Sequence, residues 1–282
     1  MLGRERIEYK TVEQVRTMRR AGLVVADALA AVRAAVRPGV TTDELDAVAA
    51  GVIADAGATS NFLGYHGFPR TVCASVDDEV VHGIPGARVL DAGQVLSIDC
   101  GAVVEGWHGD SAFSVVVPHA DGSRAGEDAD HALVAATDEA MWRGIAALAV
   151  GRPLARVGEA VDDYVVDECD GRYGLVEEYT GHGIGTAMHQ PPDVVHHRTR
   201  GRSPRVRAGL CVAVEPMLTV GDAATRVLED GWTVVTQDGS RAAHAEHSVA
   251  VLDDGLFVLT APDGGRARLG SLGVPVSARV EG

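Results

Sequence analysis

Residues 95–117 read VLSIDCGAVVEGWHGDSAFSVVV. Two apolar, β-branched runs flank Glu105-Gly106, the pattern of a β-hairpin turning at that dipeptide. Asp99 lies on the first arm and Asp110 on the second. A two-residue turn pairs 104 with 107 and sets Asp99 opposite Ala112, with Asp110 two places along. A four-residue loop sets Asp99 opposite Asp110. In either register both carboxylates fall on one face, because strand side chains alternate with period two, and they lie about 5–8 Å apart. Like charges among Val, Ile, Phe and Cys repel each other and lose hydration. Either one carboxylate keeps a proton, or a cation sits between them, or one aspartate is a turn residue facing water.

The same arrangement recurs with glutamates. GLCVAVEPMLTV (209–220) ends an apolar strand on Glu215, and HAEHSVAVL (244–252) opens another on Glu246. TGHGIGTAMHQPP (180–192) sets His182 between glycines and His189 seven residues later. Three alternate glycines, Gly181, Gly183 and Gly185, mark backbone that bends or approaches something closely. A phosphate-cradling loop fits poorly, since GHGIG lacks the Lys-Ser/Thr ending. Two Asp, two Glu and one His form a hard-oxygen donor set with one imidazole. Their charge of about −4 matches two divalent cations, of a kind such as Mn, Fe, Co, Zn or Ni. Paired ions about 3.5–4 Å apart activate water in aminopeptidases and phosphatases.

Around these strands the sequence predicts helices. Val25, Leu29, Val32 and Val36 recur at helical spacing within 11–36, and RPGV (37–40) stops that helix. Thr41 and Glu44 form a capping box for a second helix to about Ala56. A helical pattern returns over 129–150, with Met141, Ile145 and Leu148 on one face. Gly151–Pro153 breaks it, and a further helix runs to about Cys169. Two helices followed by strands, twice, point to a single α/β (α+β) domain of duplicated halves, about 11–120 and 129–261. A site then belongs at their junction. The tail 262–282 is expected to be loose.

At 282 residues the chain is long enough for one large domain, and its net charge of −15 argues against broad nucleic-acid binding. One basic stretch, HHRTRGRSPRVR (196–207), is read as a solvated loop, with an RNA or ribosome contact as the alternative. No apolar run reaches the ~20 residues of a membrane span, and MLGRERIEYKT is no signal peptide. A cytoplasmic location without membrane contact is expected. Cys73, Cys100, Cys169 and Cys211 have neither zinc-site nor disulfide spacing and are read as small apolar packers.

Taken together, YHGFPRTVCASVDDEVVHGIP (65–85), SIDCG, GWHGDSAFS, TGHGIGTAMH, VEPML and DGWTVVTQDGSRAAHAEHSV (230–249) closely resemble the type I methionine aminopeptidases. The resemblance covers about residues 9–261, with motifs in the family's order and spacing. It implies the pita-bread fold, with pseudo-two-fold halves around a curved antiparallel sheet. It implies removal of an initiator methionine from nascent chains with a free N-terminus and a small second residue, through water activated by two metal ions. By resemblance Asp99 chelates one metal, His182 and Glu215 bind the other, and Asp110 and Glu246 bridge both. Glu215 is the general base, while His82 and His189 contact substrate. Tyr65, Phe68, Cys73, Met188 and Trp232 match the methionine pocket. Met188 stands where some members carry phenylalanine, which implies a softer pocket rim. Lys10-Thr11 matches the family's start signature, so no zinc-finger or polyproline-binding extension is expected, and the chain is expected to be monomeric. The rivals are a proline-specific peptidase of the same fold (aminopeptidase P or prolidase), a non-catalytic binding protein of that fold, and di-iron oxidation. The last finds only Glu105-x-x-His108, inside a hairpin rather than on paired helices.

Overall fold

The computed structural model describes residues 6–281. The first predicted helix is α1 (Val12–Ala35) and the second α2 (Thr42–Asp55). The Thr41 capping box forms as expected: the Glu44 amide donates to Thr41 Oγ1 at 3.1 Å, and the Thr41 amide donates to the Glu44 carboxylate at 2.7 Å. Thr11 and Gln14 make the same reciprocal pair at the start of α1. The later helices are α3 (Asp128–Ala146) and α4 (Arg156–Asp163), the latter continuing as a wider turn over Tyr164–Glu168.

The helices cover one side of a mainly antiparallel sheet of nine strands among the described residues. Val25, Leu29 and Val32 of α1 pack with Leu45 and Ile53 of α2 on Leu96 and Ile98. Met141 and Ile145 of α3 pack with Val157 of α4 on Val212, Val214 and Val249. Each half therefore has its own core. The two halves are stitched where the 107–116 strand pairs with the 246–252 strand, Ser111 opposite His247 and Ala112 opposite Glu246.

The hairpin takes the tight register. Val104 faces Trp107, Asp99 faces Ala112, and Gly101 faces Asp110. Glu105 and Gly106 both have positive φ, 51° and 78°, which suits the right-handed twist of a two-residue hairpin turn.

The tail is a correction. Of the tail expected to be loose, residues 262–281 are packed: a fifth helix, α5 (Arg266–Ser271), forms, and Leu269 and Val280 are buried. Asp263 accepts from the Gly265 and Ala267 amides at 2.8 and 2.9 Å and starts the helix. The tail then bonds to Leu256 of the edge strand 255–258: the Leu256 N–H donates to the Pro275 carbonyl and the Ser277 N–H to that of Leu256. The polar, glycine-rich composition hid apolar residues spaced to meet that edge.

Candidate metal centre and adjoining pocket

The sheet's open face gathers the acids. Asp99 and Asp110 project from the hairpin, and Glu246 begins the strand beside it. Ala112 lies directly between Asp99 and Glu246 in the register, and its single methyl leaves room for three carboxylates above it. Ser248 holds the seam: its hydroxyl donates to the Asp110 carbonyl at 2.8 Å and accepts the Asp110 amide at 3.1 Å. Glu215 follows the 211–214 strand, and His182 is the middle residue of the 181–183 strand.

The three glycines of 181–185 owe their identity to close approach, as alternating glycines in a strand suggest. A Cβ on Gly181 would lie 2.4 Å from the Ala213 carbonyl oxygen, and one on Gly183 2.3 Å from that of Pro191. One on Gly185 would lie 2.4 Å from Lys10 Cε. The strand bearing His182 is thereby wedged between its neighbours with no space for side chains at the alternate positions.

One oxygen or nitrogen from each of Asp110, His182 and Glu246 lies within 4.8 Å of the others. His182 Nε2 is 3.4 Å from Glu215 Oε1. His182 Nδ1 donates to the Gly183 carbonyl at 3.0 Å, which leaves the Nε2 lone pair directed at the acids, as a ligating histidine requires. Asp99 Oδ1, Asp110 Oδ1 and Glu246 Oε1 are buried without hydrogen-bond partners. Burial raises the pKa of all four acids, and for Asp110, Glu215 and Glu246 the neighbouring carboxylates raise it further. Burial, with His189 nearby, holds His182 at about 3, so it stays neutral. Orphaned hard oxygens and a neutral imidazole fit a divalent cation.

Beside the acids is a cavity of 140 Å³. All the residues assigned to the site from sequence line it: the five acid and histidine ligand candidates, His82 and His189, and Tyr65, Phe68, Cys73, Met188 and Trp232. The Phe68 and Trp232 rings meet edge-on at 5.1 Å. Tyr65 Oη is 2.8 Å from His189 Nδ1, and the His189 ring lies 4.3 Å from that of His182. His82 takes a left-handed backbone, φ 61°, uncommon for a side chain with a Cβ and typical of strained site residues. Burial, then His189, brings it to about 4, hence neutral.

Three participants escaped the sequence reading. Phe62 lines the cavity and stacks edge-on to Phe68 at 6.4 Å. His196 accepts the Glu215 amide at its Nε2, 3.0 Å away. His244 Nε2 lies 3.9 Å from Glu215 Oε2. His244 was within reach, since it stands two residues before Glu246 and period two favours the same face. His196 opens an arginine-rich loop, and its contact with Glu215, 19 residues on, comes only from the fold.

The profile of metallopeptidase family M24 matches residues 16–253. The chain is 48% identical over 262 residues to methionine aminopeptidase 1 of Mycobacterium tuberculosis, covering 92% of this chain and 96% of that one. This chain belongs to the methionine aminopeptidases of family M24. It is also 38% identical to methionine aminopeptidase 1 of Bacillus subtilis, over 89% of this chain and 98% of that one. The methionine aminopeptidase structure from Thermotoga maritima superposes with a TM-score of 0.85 at 33% identity, covering 90% and 99% of the two chains. The fold is accordingly the pita-bread fold, and the acids described above lie on its curved sheet.

Proposed function

We propose that this enzyme removes the N-terminal methionine from nascent proteins whose second residue is small. The observation that carries the reading is the junction of an orphaned carboxylate cluster with an apolar pocket, within a chain so similar to named methionine aminopeptidases. We assign two divalent ions of the Mn, Fe, Co, Zn or Ni type to the cluster. Asp99 would help to hold one, His182 and Glu215 the other, and Asp110 and Glu246 would be shared by both. When bound, such ions supply Lewis acidity and bring the pKa of a coordinated water towards neutrality.

The protein's own groups then have separate tasks. Glu215 takes up the proton released on attack and passes it to the leaving amine. The His196 ring on its backbone amide fixes its position. His189 uses Nε2–H to stabilise the oxyanion, while Tyr65 engages Nδ1. His82, neutral and held by its strained backbone, contacts the scissile amide nitrogen and crowds the second substrate residue. Phe62, Phe68, Trp232 and Met188 enclose the methionine side chain, where aromatic rings and sulfur attract each other by about 0.3–1.5 kcal/mol.

Among the described residues no helix is long and apolar enough to cross a membrane, and we infer a cytoplasmic monomer acting on chains as they emerge from synthesis. In the basic loop, Arg198 pairs with Asp163 and Asp162, and Arg205 donates to the Gly151 carbonyl at 2.6 Å. Arg200 and Arg202 are exposed, and we assign any ribosome contact to them. Hydrolysis of a Met-Ala-Ser peptide by metal-loaded protein, followed by chromatography of free methionine, tests the activity; an intact peptide contradicts it.

A further inference from the structure

Lys10 is the chain's only lysine, and it is buried, 5% exposed. A buried ammonium is costly unless it is paired. The mechanism above makes no use of it, nor of Glu8 beside it. Both touch the segment that follows His182.

Lys10 is fixed at its backbone, where its amide donates to the Gly209 carbonyl at 2.7 Å. Tyr9 bridges to Leu210 alongside. The Lys10 side chain runs into the notch left by Gly185: a Cβ there would be 2.7 Å from Nζ. Nζ donates to the Glu8 carbonyl at 3.1 Å. The Glu8 carboxylate in turn accepts the Thr186 hydroxyl at 2.7 Å. From the other side, the His108 amide at the tip of the hairpin donates to the Gly185 carbonyl at 2.9 Å.

Residues 185 and 186 are thus clamped between the N-terminal segment and the hairpin. Two residues later comes Met188, buried against Phe68 and Cys73. The next is His189, which is exposed at the cavity mouth and tied there to Tyr65. We propose that Glu8 and Lys10 are positioning residues: through Thr186 and Gly185 they set where Met188 walls the pocket and where His189 meets the substrate. The inference rests on the methionine-removing reading of the site.

Thr186 is exposed and nearly isosteric with valine, so Thr186→Val removes the Glu8 contact with little change of shape. Its kcat on Met-Ala-Ser should fall about 10-fold, as expected when a contacting group is displaced by part of an ångström. Thr186→Ser, which keeps the hydroxyl, should stay within about twofold of wild type. Glu8→Ala, which removes the acceptor, should reproduce the loss, and the double variant Glu8→Ala/Thr186→Val should lose no more than Thr186→Val alone, because the two share one contact. Metal content and melting temperature should match wild type. Lys10→Met should show the same loss of kcat from the same side of the clamp, through Gly185 instead of Thr186. A readout independent of turnover is the ¹³C-methyl NMR signal of Met188, which should shift in Thr186→Val and return in Thr186→Ser.

A wild-type kcat and an unmoved Met188 signal in both Thr186→Val and Lys10→Met would overturn the proposal. So would a fall in melting temperature without any change in kcat, since that is a purely structural role. If metal-loaded wild-type protein leaves the peptide intact, the functional reading fails first. The Met188 signal then decides the clamp by itself.

Discussion

Gly22 and Gly51 give a paired test of how the fold is packed. Both lie inside helices, Gly22 in α1 and Gly51 in α2. Helix propensity alone favours alanine at either position by about 0.8–1.0 kcal/mol. Around Gly51 there is nothing within 4 Å of an added Cβ, so Gly51→Ala should stabilise by that amount. At Gly22 a Cβ would lie 2.2 Å from the Leu259 carbonyl oxygen and 2.6 Å from its carbon. Those are backbone atoms of the chain leaving the sheet edge and cannot swing aside. The same turn of α1 also presses on Gly109, whose own Cβ would meet the Gly22 nitrogen at 2.8 Å. Overpacking costs about 1–3 kcal/mol, and contact with fixed backbone belongs at the upper end. Net of propensity, Gly22→Ala should destabilise by roughly 2 kcal/mol, or roughly 4 °C in a chain of this size, while Gly51→Ala should raise Tm by about 2 °C. Thermal and urea unfolding at fixed metal content reads both. A Gly22→Ala protein as stable as wild type would refute the close approach of α1 to the sheet and to the strand that carries Asp110.

Asp110→Asn should weaken metal binding at both positions and nearly abolish activity, because the carboxylate we assign to both ions becomes an amide with one good acceptor. Asp99→Asn should weaken mainly one ion; calorimetric titration of the two variants separates the cases, and two ions bound at unchanged affinity to Asp110→Asn would remove its bridging role. His189→Ala should lower kcat by roughly 10²–10³-fold with little change in KM, and a raised KM alone would reduce His189 to a positioning group. The metal-free protein should lose stability as pH rises from about 7 to about 8, a window in which unfolded carboxylates are already ionised and the histidines are close to neutral. There Asp99, which burial raises to about 7, and Asp110, Glu215 and Glu246, raised by burial and then by neighbouring carboxylates, bind more protons in the folded chain than in the unfolded one. Saturating metal should flatten the slope, and urea midpoints that rise over this window in chelator contradict the account.

The hairpin was the most legible element, because alternation fixes which residues share a face whatever the turn. The register itself needed the backbone of Glu105, whose positive φ the residue type does not advertise. The acids were legible for a related reason: each lies within or beside an otherwise apolar strand, where an unpaired carboxylate is costly. Phe62 was not, because its place depends on a turn in which the Tyr65 amide donates to the Phe62 carbonyl, and that bends it back over Phe68. Gly185 could be seen as a close approach, but its partner, Lys10, lies 175 positions earlier. The packed tail misled for the opposite reason: composition averaged away the few apolar residues that dock it.

The most direct measurement strips the protein of metal, restores each divalent ion in turn, and compares Met-Ala-Ser with Met-Lys-Ser at each step. The account predicts no turnover without metal, activity that saturates as ions fill the cluster, and cleavage of the alanine peptide far ahead of the lysine peptide. Equal turnover of both peptides, or full activity in the stripped protein, would contradict it.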